Sequence, residues 1–355
     1  MPLSMPRFPS EAASYSRKLA QRWATSNQKH RSKMAFQHSI LSISAIFVLL
    51  LSSLFLSPSR SAPTEAATPG TCVSHDQPNP LAESFPNSAT GVLNATLAII
   101  PIPLKLARSL VPPQYRILEK AYRSLLPDFP KDMYPVLIQA AHDHDVQFRA
   151  YGITIDDFSR VGFEFPFLDL LGDGYSSFRW APAQLISASN DIAVDGSRAY
   201  GTIVTPAEYE PLCNAYSALS NGATYFKGSS LSSPPEFVEV EMKQLERPTL
   251  SPYSIDLFKN ITNQPTFANG TSCDNMIRLF NTTMSVDDYA PRTVQGRVKA
   301  NAFPFRGQQE WTDVYGVQVA TPFIENNYLD CRTMRGYVGT GGPGDSFMGL
   351  DHDDL

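Results

Sequence analysis

The 355-residue chain has no P-loop, no dinucleotide-binding glycine fingerprint and no cysteine pair at zinc-site spacing, so no nucleotide, metal or other cofactor is expected. It also lacks a G-x-S-x-G elbow, which weighs against a serine hydrolase. Positive charge is scarce over most of its length. From Ser61 onward 21 basic residues stand against 33 acidic ones, a formal charge of −12. Such a surface repels nucleic acid and anionic lipid. Lysine is rarer still: beyond residue 60 only Lys105, Lys120, Lys131, Lys227, Lys243, Lys259 and Lys299 occur. Cysteine is limited to Cys72, Cys213, Cys273 and Cys331, an even number that permits two disulfides in three pairings.

One long apolar run is present. Ile40 to Leu56 is interrupted only by serines, and no charged residue lies between Lys33 and Arg60. This is at the short end of what crosses a bilayer as a helix. Arg7, Arg17, Lys18, Arg22, Lys29, Arg31 and Lys33 precede it against a single acid, Glu11, so the N-terminus should stay cytoplasmic and the rest be translocated. Both a retained signal-anchor and a cleaved signal peptide fit, because Met34 offers an alternative start and Ser57, Ser59 and Ser61 offer small residues for cleavage. The expected product is a single-pass membrane protein or a secreted one. Four N-x-[ST] sequons, at Asn94, Asn260, Asn269 and Asn281, and all four cysteines lie beyond the run, as glycosylation and disulfides in an oxidising compartment would require. The C-terminal His352-Asp353-Asp354-Leu355 is one methylene short of an HDEL signal and reads either as retention in the endoplasmic reticulum or as an acidic tail.

The expected organisation is a basic arm over 1–38, the apolar segment over 39–57, a disordered Pro/Ser/Thr/Ala linker over 58–90, a main domain over 91–338 and a Gly-rich acidic tail over 339–355. Within the domain, short runs rich in β-branched and aromatic residues predict strands at Tyr134–Ala140, Val161–Leu168, Tyr175–Trp180, Ala183–Ser189, Ala199–Thr205, Glu236–Met242 and Trp311–Ala320. Helices are predicted at Leu104–Leu110, stopped by Pro112-Pro113, and at Tyr115–Leu126. A third is predicted after Thr205-Pro206-Ala207-Glu208, which has the form of a capping box with proline at the first helical position. The 260–290 region reads as a long loop or insertion.

Four short stretches carry a family resemblance. Ile192-Ala193-Val194 and Gly196 match the segment A-I-A-x-G-R-E-x-x-x-x-P-K-K of acetoacetate decarboxylases. Leu106 to Pro113, Val136 to Asp143 and Gly174 to Trp180 follow in the order and spacing of that family's helix, early strand and next strand. Over about residues 96–212 the chain therefore resembles a divergent member of the acetoacetate decarboxylase-like superfamily. The resemblance implies a mainly β fold with a few helices, an acetoacetate decarboxylase-like closed antiparallel β-barrel. It also implies a lysine that forms a Schiff base with a β-keto acid. With Gly196 on the motif glycine, the two lysine positions fall on Val204 and Thr205, and neither can form an imine. Lys227 is the likeliest replacement from elsewhere in the chain.

Other side chains could still make a pocket. His142-Asp143-His144-Asp145 alternates so that the two histidines share one strand face and the two aspartates the other. They read as a metal pair short of a third ligand, as a polar strand end, or as a wall that polarises a carbonyl. Arg179 and Arg198 could bind a carboxylate, or lie in surface ion pairs. Glu164, between Phe163 and Phe165, could act as a general acid if it faces inward. Tyr175 and Tyr200 could supply pocket hydroxyls, or be core aromatics. Three readings follow: a barrel that binds a small organic acid or carbonyl compound without Schiff-base decarboxylase activity, a lyase or isomerase using Glu164, His142 or Arg198 in acid–base chemistry on a keto acid or polyketide-like substrate, and a structural surface glycoprotein.

Overall fold

The computed structural model describes residues 76–336. The expected basic arm, the apolar segment, most of the linker, Cys72 and the C-terminal tail lie outside the described residues. Among the described residues no helix is long and apolar enough to cross a membrane.

Fifteen strands of the described residues join one sheet. In chain order they are β1 Ala89–Pro103, β2 Arg116–Ile117, β3 Met133–Phe148, β4 Ile153–Ile155, β5 Phe158–Asp169, β6 Phe178–Trp180, β7 Ala183–Ser187 and β8 Ile203–Glu210. They continue with β9 Ser217–Ala218, β10 Ala223–Ser230, β11 Phe237–Gln244, β12 Thr266–Phe267, β13 Cys273–Arg278, β14 Arg292–Asn301 and β15 Gln309–Leu329. Four α-helices accompany them, α1 Leu104–Leu110, α2 Glu119–Leu125, α3 Asp191–Ala199 and α4 Ile255–Thr262.

The pairings run in two circuits. One passes from β5 through β7, β8, β10, β11, β14, β15, β1 and β3 and returns to β5. The other leaves β5 through β6, β12 and β13 and joins the same β15. The 21-residue β15 serves both, pairing with β14 along its first half and with β13 along its second. Most pairs are antiparallel as expected, but β7–β8 and β6–β12 are parallel.

Strands that serve two circuits are covered on both faces. Ala89 to Ile100 of β1 are all buried, so the run shows no alternation, which is the pattern of a doubly covered strand. The aromatic core has two concentrations. Tyr122 packs edge-on against Phe129 and Tyr134 under α2, and Phe163 packs against Phe305 and Trp311 in the nine-strand circuit. Each such ring contributes about 1.5–3 kcal/mol on burial.

Several sequence expectations are corrected. The helix expected after Thr205 is the strand β8; Pro206 lies where β8 pairs with β7, and Thr205 donates to Glu236 (3.0 Å) rather than capping a turn. The strand expected at Ala199–Thr205 begins only at Ile203, and the residues before it form α3, whose N-cap Asn190 accepts from the Ala193 amide (2.9 Å). The helix expected at Tyr115–Leu126 is α2 alone, preceded by the short β2. The expected 260–290 insertion holds the end of α4 and all of β12 and β13. Packing also starts before residue 91, since Leu81 and Ala82 are buried. Cys273 and Cys331 form a disulfide, which clips β13 to the turn after β15.

Candidate functional site

The two circuits part at a fork. β5 pairs with β7 only at Arg160 and Val161, and its next neighbour on that side is β6, from Phe165. At the opening stands Gly162, where a Cβ would lie 2.7 Å from the Ala183 carbonyl oxygen. A cavity of about 80 Å3 lies here, lined by Arg160, Glu164, Arg179, Arg278, Asp274 and Glu325 together with Gln184, Tyr200 and Thr202. The charged positions follow the two-residue period of strands: Arg160 and Glu164 share one face of β5, and Asp274, Met276 and Arg278 share one face of β13.

The three arginines are held differently. Arg160 makes a bidentate pair with Asp143, at 2.7 and 3.1 Å. Burial opposes its charge, but Asp143 outweighs burial and holds the guanidinium above its ordinary pKa. Arg179, 2% exposed, places Nε 2.7 Å from Glu164 Oε2 and donates Nη1 to the Ile261 and Thr262 carbonyls and Nη2 to Thr266 Oγ1. Burial lowers its pKa, and Glu164 and Asp274 partly offset this. Arg278, 1% exposed, donates Nη1 to the carbonyls of Thr262 (2.6 Å) and Met276 (3.2 Å) and Nη2 to Gln139 (2.8 Å). The carbonyls at the end of α4 thus receive both cations, the favourable charge for a helix C-terminus.

Arg278 differs in one respect. Among the described residues no carboxylate stands at ion-pair distance from it, although Glu164 and Asp143 act on its charge from further off, and its Nε is buried without a hydrogen-bond partner. Burial first, then repulsion from Arg179 and Arg160, pushes its pKa down to about 9. It stays charged at neutral pH.

In the same cavity, Asp274 of β13 and Glu325 of β15 lie on paired strands, Glu325 standing opposite Met276 in the register. Burial, then the neighbouring Glu325 carboxyl, raises the Asp274 pKa well above the usual carboxylate range. Asp274 Oδ1 has no hydrogen-bond partner. Tyr200 stacks on Tyr328 with ring centroids 4.5 Å apart, and its hydroxyl accepts from the Tyr328 amide (3.1 Å). Burial, then Asp274 and Glu325, keeps that hydroxyl protonated. Next to it Gly201 has φ +86°, and a Cβ there would lie 2.1 Å from Asn269 Nδ2, so only glycine lets this wall close.

Of the residues singled out in the sequence, Glu164, Arg179 and Tyr200 meet in this cavity. The others do not. Arg198 lies on α3, half-exposed, with Asp195 at 3.5 Å. Tyr175 is 59% exposed in the loop before β6. His142 and His144 are buried on the other face of β3, rings 6.4 Å apart, with His142 Nδ1 2.9 Å from Ser159 Oγ. Burial lowers the His142 pKa despite Asp157, Asp143 and Asp76. No group of three His, Cys, Asp or Glu side chains placed to hold a metal occurs among the described residues. Val204 is buried against α3, and Thr205 lines a second cavity of about 110 Å3 formed by Val161, Phe163, Leu185, Ile203, Glu236 and Phe303. None of the seven lysines lines either cavity. Lys227 lies on β10 with its Nζ 5.8 Å from the Phe237 ring centroid. Asn94 is buried in β1 and donates to Asp76, Asn269 and Asn281 are exposed, and Asn260 is partly buried on α4.

Sequence reasoning missed Arg160, Asp274, Arg278 and Glu325. A charged residue inside an apolar run, as in Met276-Ile277-Arg278-Leu279-Phe280 and Pro322-Phe323-Ile324-Glu325, was the available signal.

A mainly β chain with a charged cavity at the fork of two strand circuits is the class defined so far. No family model and no curated protein matches this sequence. Among solved structures, the chain is similar to the enduracididine biosynthesis enzyme MppR with HEPES buffer bound, at 9% identity over 68% of this chain and 85% of that one (TM-score 0.38). It is similar to the same enzyme complexed with the condensation product of pyruvate and imidazole 4-carboxaldehyde, at 9% identity over 76% and 99% (TM-score 0.35). It is also similar to an acetoacetate decarboxylase-like enzyme from Sphingomonas wittichii RW1, at 8% identity over 68% and 92% (TM-score 0.37). No site residue is carried across from these neighbours.

Proposed function

We propose that the chain is a small-molecule-binding barrel, closed through its nine-strand circuit, whose ligand is a small organic acid or carbonyl compound seated on Arg278. The observation that carries this reading is Arg278, buried in the cavity wall with an Nε that has no hydrogen-bond partner and, among the described residues, with no carboxylate at ion-pair distance. A buried cation with an unfilled donor is incompletely compensated, and a ligand carboxylate would supply the missing acceptor at bonding distance. Binding does not proceed through an imine, because lysine is absent from the cavity wall.

The test is a thermal-shift and calorimetric series with acetate, acetoacetate and other acids of up to about five carbons, a size set by the cavity. Wild type should be stabilised by at least one of them. Arg278→Met should keep its fold and lose about 10- to 100-fold in affinity, the range for a hydrogen bond to a charged group. Equal binding by both proteins would sink the reading. Borohydride with acetoacetate should leave the intact mass unchanged.

The same reading includes translocation of the domain, with residues 39–57 as signal-anchor or signal peptide and glycans on exposed sequons. The Cys273–Cys331 disulfide supports an oxidising compartment.

A further inference from the structure

We infer that the second cavity, lined by Thr205 and Glu236, is a binding site for a small hydrophobic amine, whose ammonium sits on Glu236 and whose hydrocarbon part fills the space. The site is separate from the one proposed around Arg278 and calls for a ligand of opposite charge. Its walls follow from strand periodicity. Val161 and Phe163 share one face of β5, Ala183 and Leu185 one face of β7, and Ile203 and Thr205 one face of β8. Val238 of β11 and Glu236 just before it complete the lining from the same nine-strand circuit. Exposure rises from floor to rim: Phe163 is 1% and Val238 0% exposed, whereas Ile203 is 55% and Phe303 44%. A dry floor reached past an apolar rim is the form of a ligand site in a barrel mouth.

One carboxylate sets the chemistry of the occupant. Glu236 is the only charged side chain in the lining. Its Oε2 accepts from Thr205 Oγ1 (3.0 Å), and among the described residues no lysine, arginine or histidine stands at ion-pair distance from it. Ser230 fixes its backbone from both directions: the Glu236 amide donates to Ser230 Oγ and the Ser230 amide to the Glu236 carbonyl, each at 2.8 Å. The carboxylate is thus held at the cavity with most of its lone pairs unused. Thr205, its proton given to Glu236, keeps acceptor capacity on the same wall. Two acceptors and no donor repel an anion and give a carbonyl compound nothing to accept from. An ammonium supplies three donors and a counter-charge. Phe163 and Phe303 add aromatic surface, which also favours a cation.

The experiment is titration calorimetry of the full-length protein at pH 7 with cyclohexylmethylamine, a cation there, and cyclohexylmethanol, its neutral counterpart of nearly the same shape. The amine should bind about 10-fold or more tighter, the low end of the range for a charged hydrogen bond because Glu236 is only half-buried. Glu236→Gln should remove that difference. Ile203→Lys, at the exposed rim, should weaken the amine and spare the alcohol. Both variants should melt within a few degrees of wild type. Arg278→Met should leave amine binding unchanged, so this site and the acid site succeed or fail independently. Equal affinity for amine and alcohol in wild type, an amine affinity untouched by Glu236→Gln, its loss in folded Arg278→Met, or no amine binding at about 10 mM would each overturn the inference.

Discussion

At the scale of the residue, two groups have shifted pKa values of opposite consequence. The buried His142 is held below its ordinary value, so the unfolded chain takes up a proton first as pH falls. Its contribution to stability is complete above pH ~6.5 and is lost as pH drops through the lowered native value, with a slope of up to about 1.4 kcal/mol per pH unit. Urea denaturation across pH 4.5 to 7.5 should show that slope, and His142→Gln should flatten it. Asp274 is held above its ordinary value, so the folded protein keeps the proton longer. Its contribution is complete below pH ~4 and is lost as pH rises, with the same limiting slope. Asp274→Asn should therefore gain on wild type as pH increases in the same titration, and a constant difference between the two would contradict the raised value. The residues behind these effects were unequally legible. His142-Asp143-His144 announced itself as a cluster, and alternation sorted its faces correctly, Asp143 toward Arg160 and the histidines away. Asp274 was hidden because its value comes from burial and then from Glu325, 51 positions away, and no local pattern records either.

At the scale of the element, local signals succeeded where one face is wet and failed where both are dry. β11 alternates along Phe237–Met242 and was legible; β1 is buried on both faces and was read as no strand at all. The Thr205-Pro206-Ala207-Glu208 capping pattern was overridden by parallel pairing with β7, a contact to a segment 20 residues earlier. Conversely, Asn190 is an N-cap that sequence rules could have found, although β-branched Ile192 and Val194 and the glycine at 196 weaken the helical signal of the segment it starts. The Cys273–Cys331 disulfide belongs to this scale. It closes a segment of 58 residues between β13 and the turn after β15 and adjoins Asp274. Replacing both cysteines by alanine should cost roughly 4 kcal/mol by the loop-entropy relation, measured by urea denaturation. The same double variant should weaken the proposed binding of small acids, since the strand that carries Arg278 loses its tether. Unchanged affinity would show that β13 is held by pairing alone.

At the scale of the whole molecule, the mainly β class was legible from the run of short strands, whereas the two-circuit plan was not, because pairings such as β3 with β5 and β13 with β15 are choices among distant partners. The proposed secretory fate makes a prediction that depends on exposure. Expressed through a secretory pathway, the chain should lose mass on N-glycanase treatment, and Asn269→Gln or Asn281→Gln should each remove part of that shift. Asn94→Gln should not, because Asn94 is buried in the sheet against Asp76. A shift at Asn94 would mean that β1 is accessible when the sugar is added. One feature reaches further than the chemistry of a single ligand. Gln184 borders both the charged cavity and the more apolar one, the one residue common to the two linings. If the proposed binding role holds, a smaller residue at this one codon would enlarge the space open to a ligand, and a lineage could change its range there without disturbing any of the arginines.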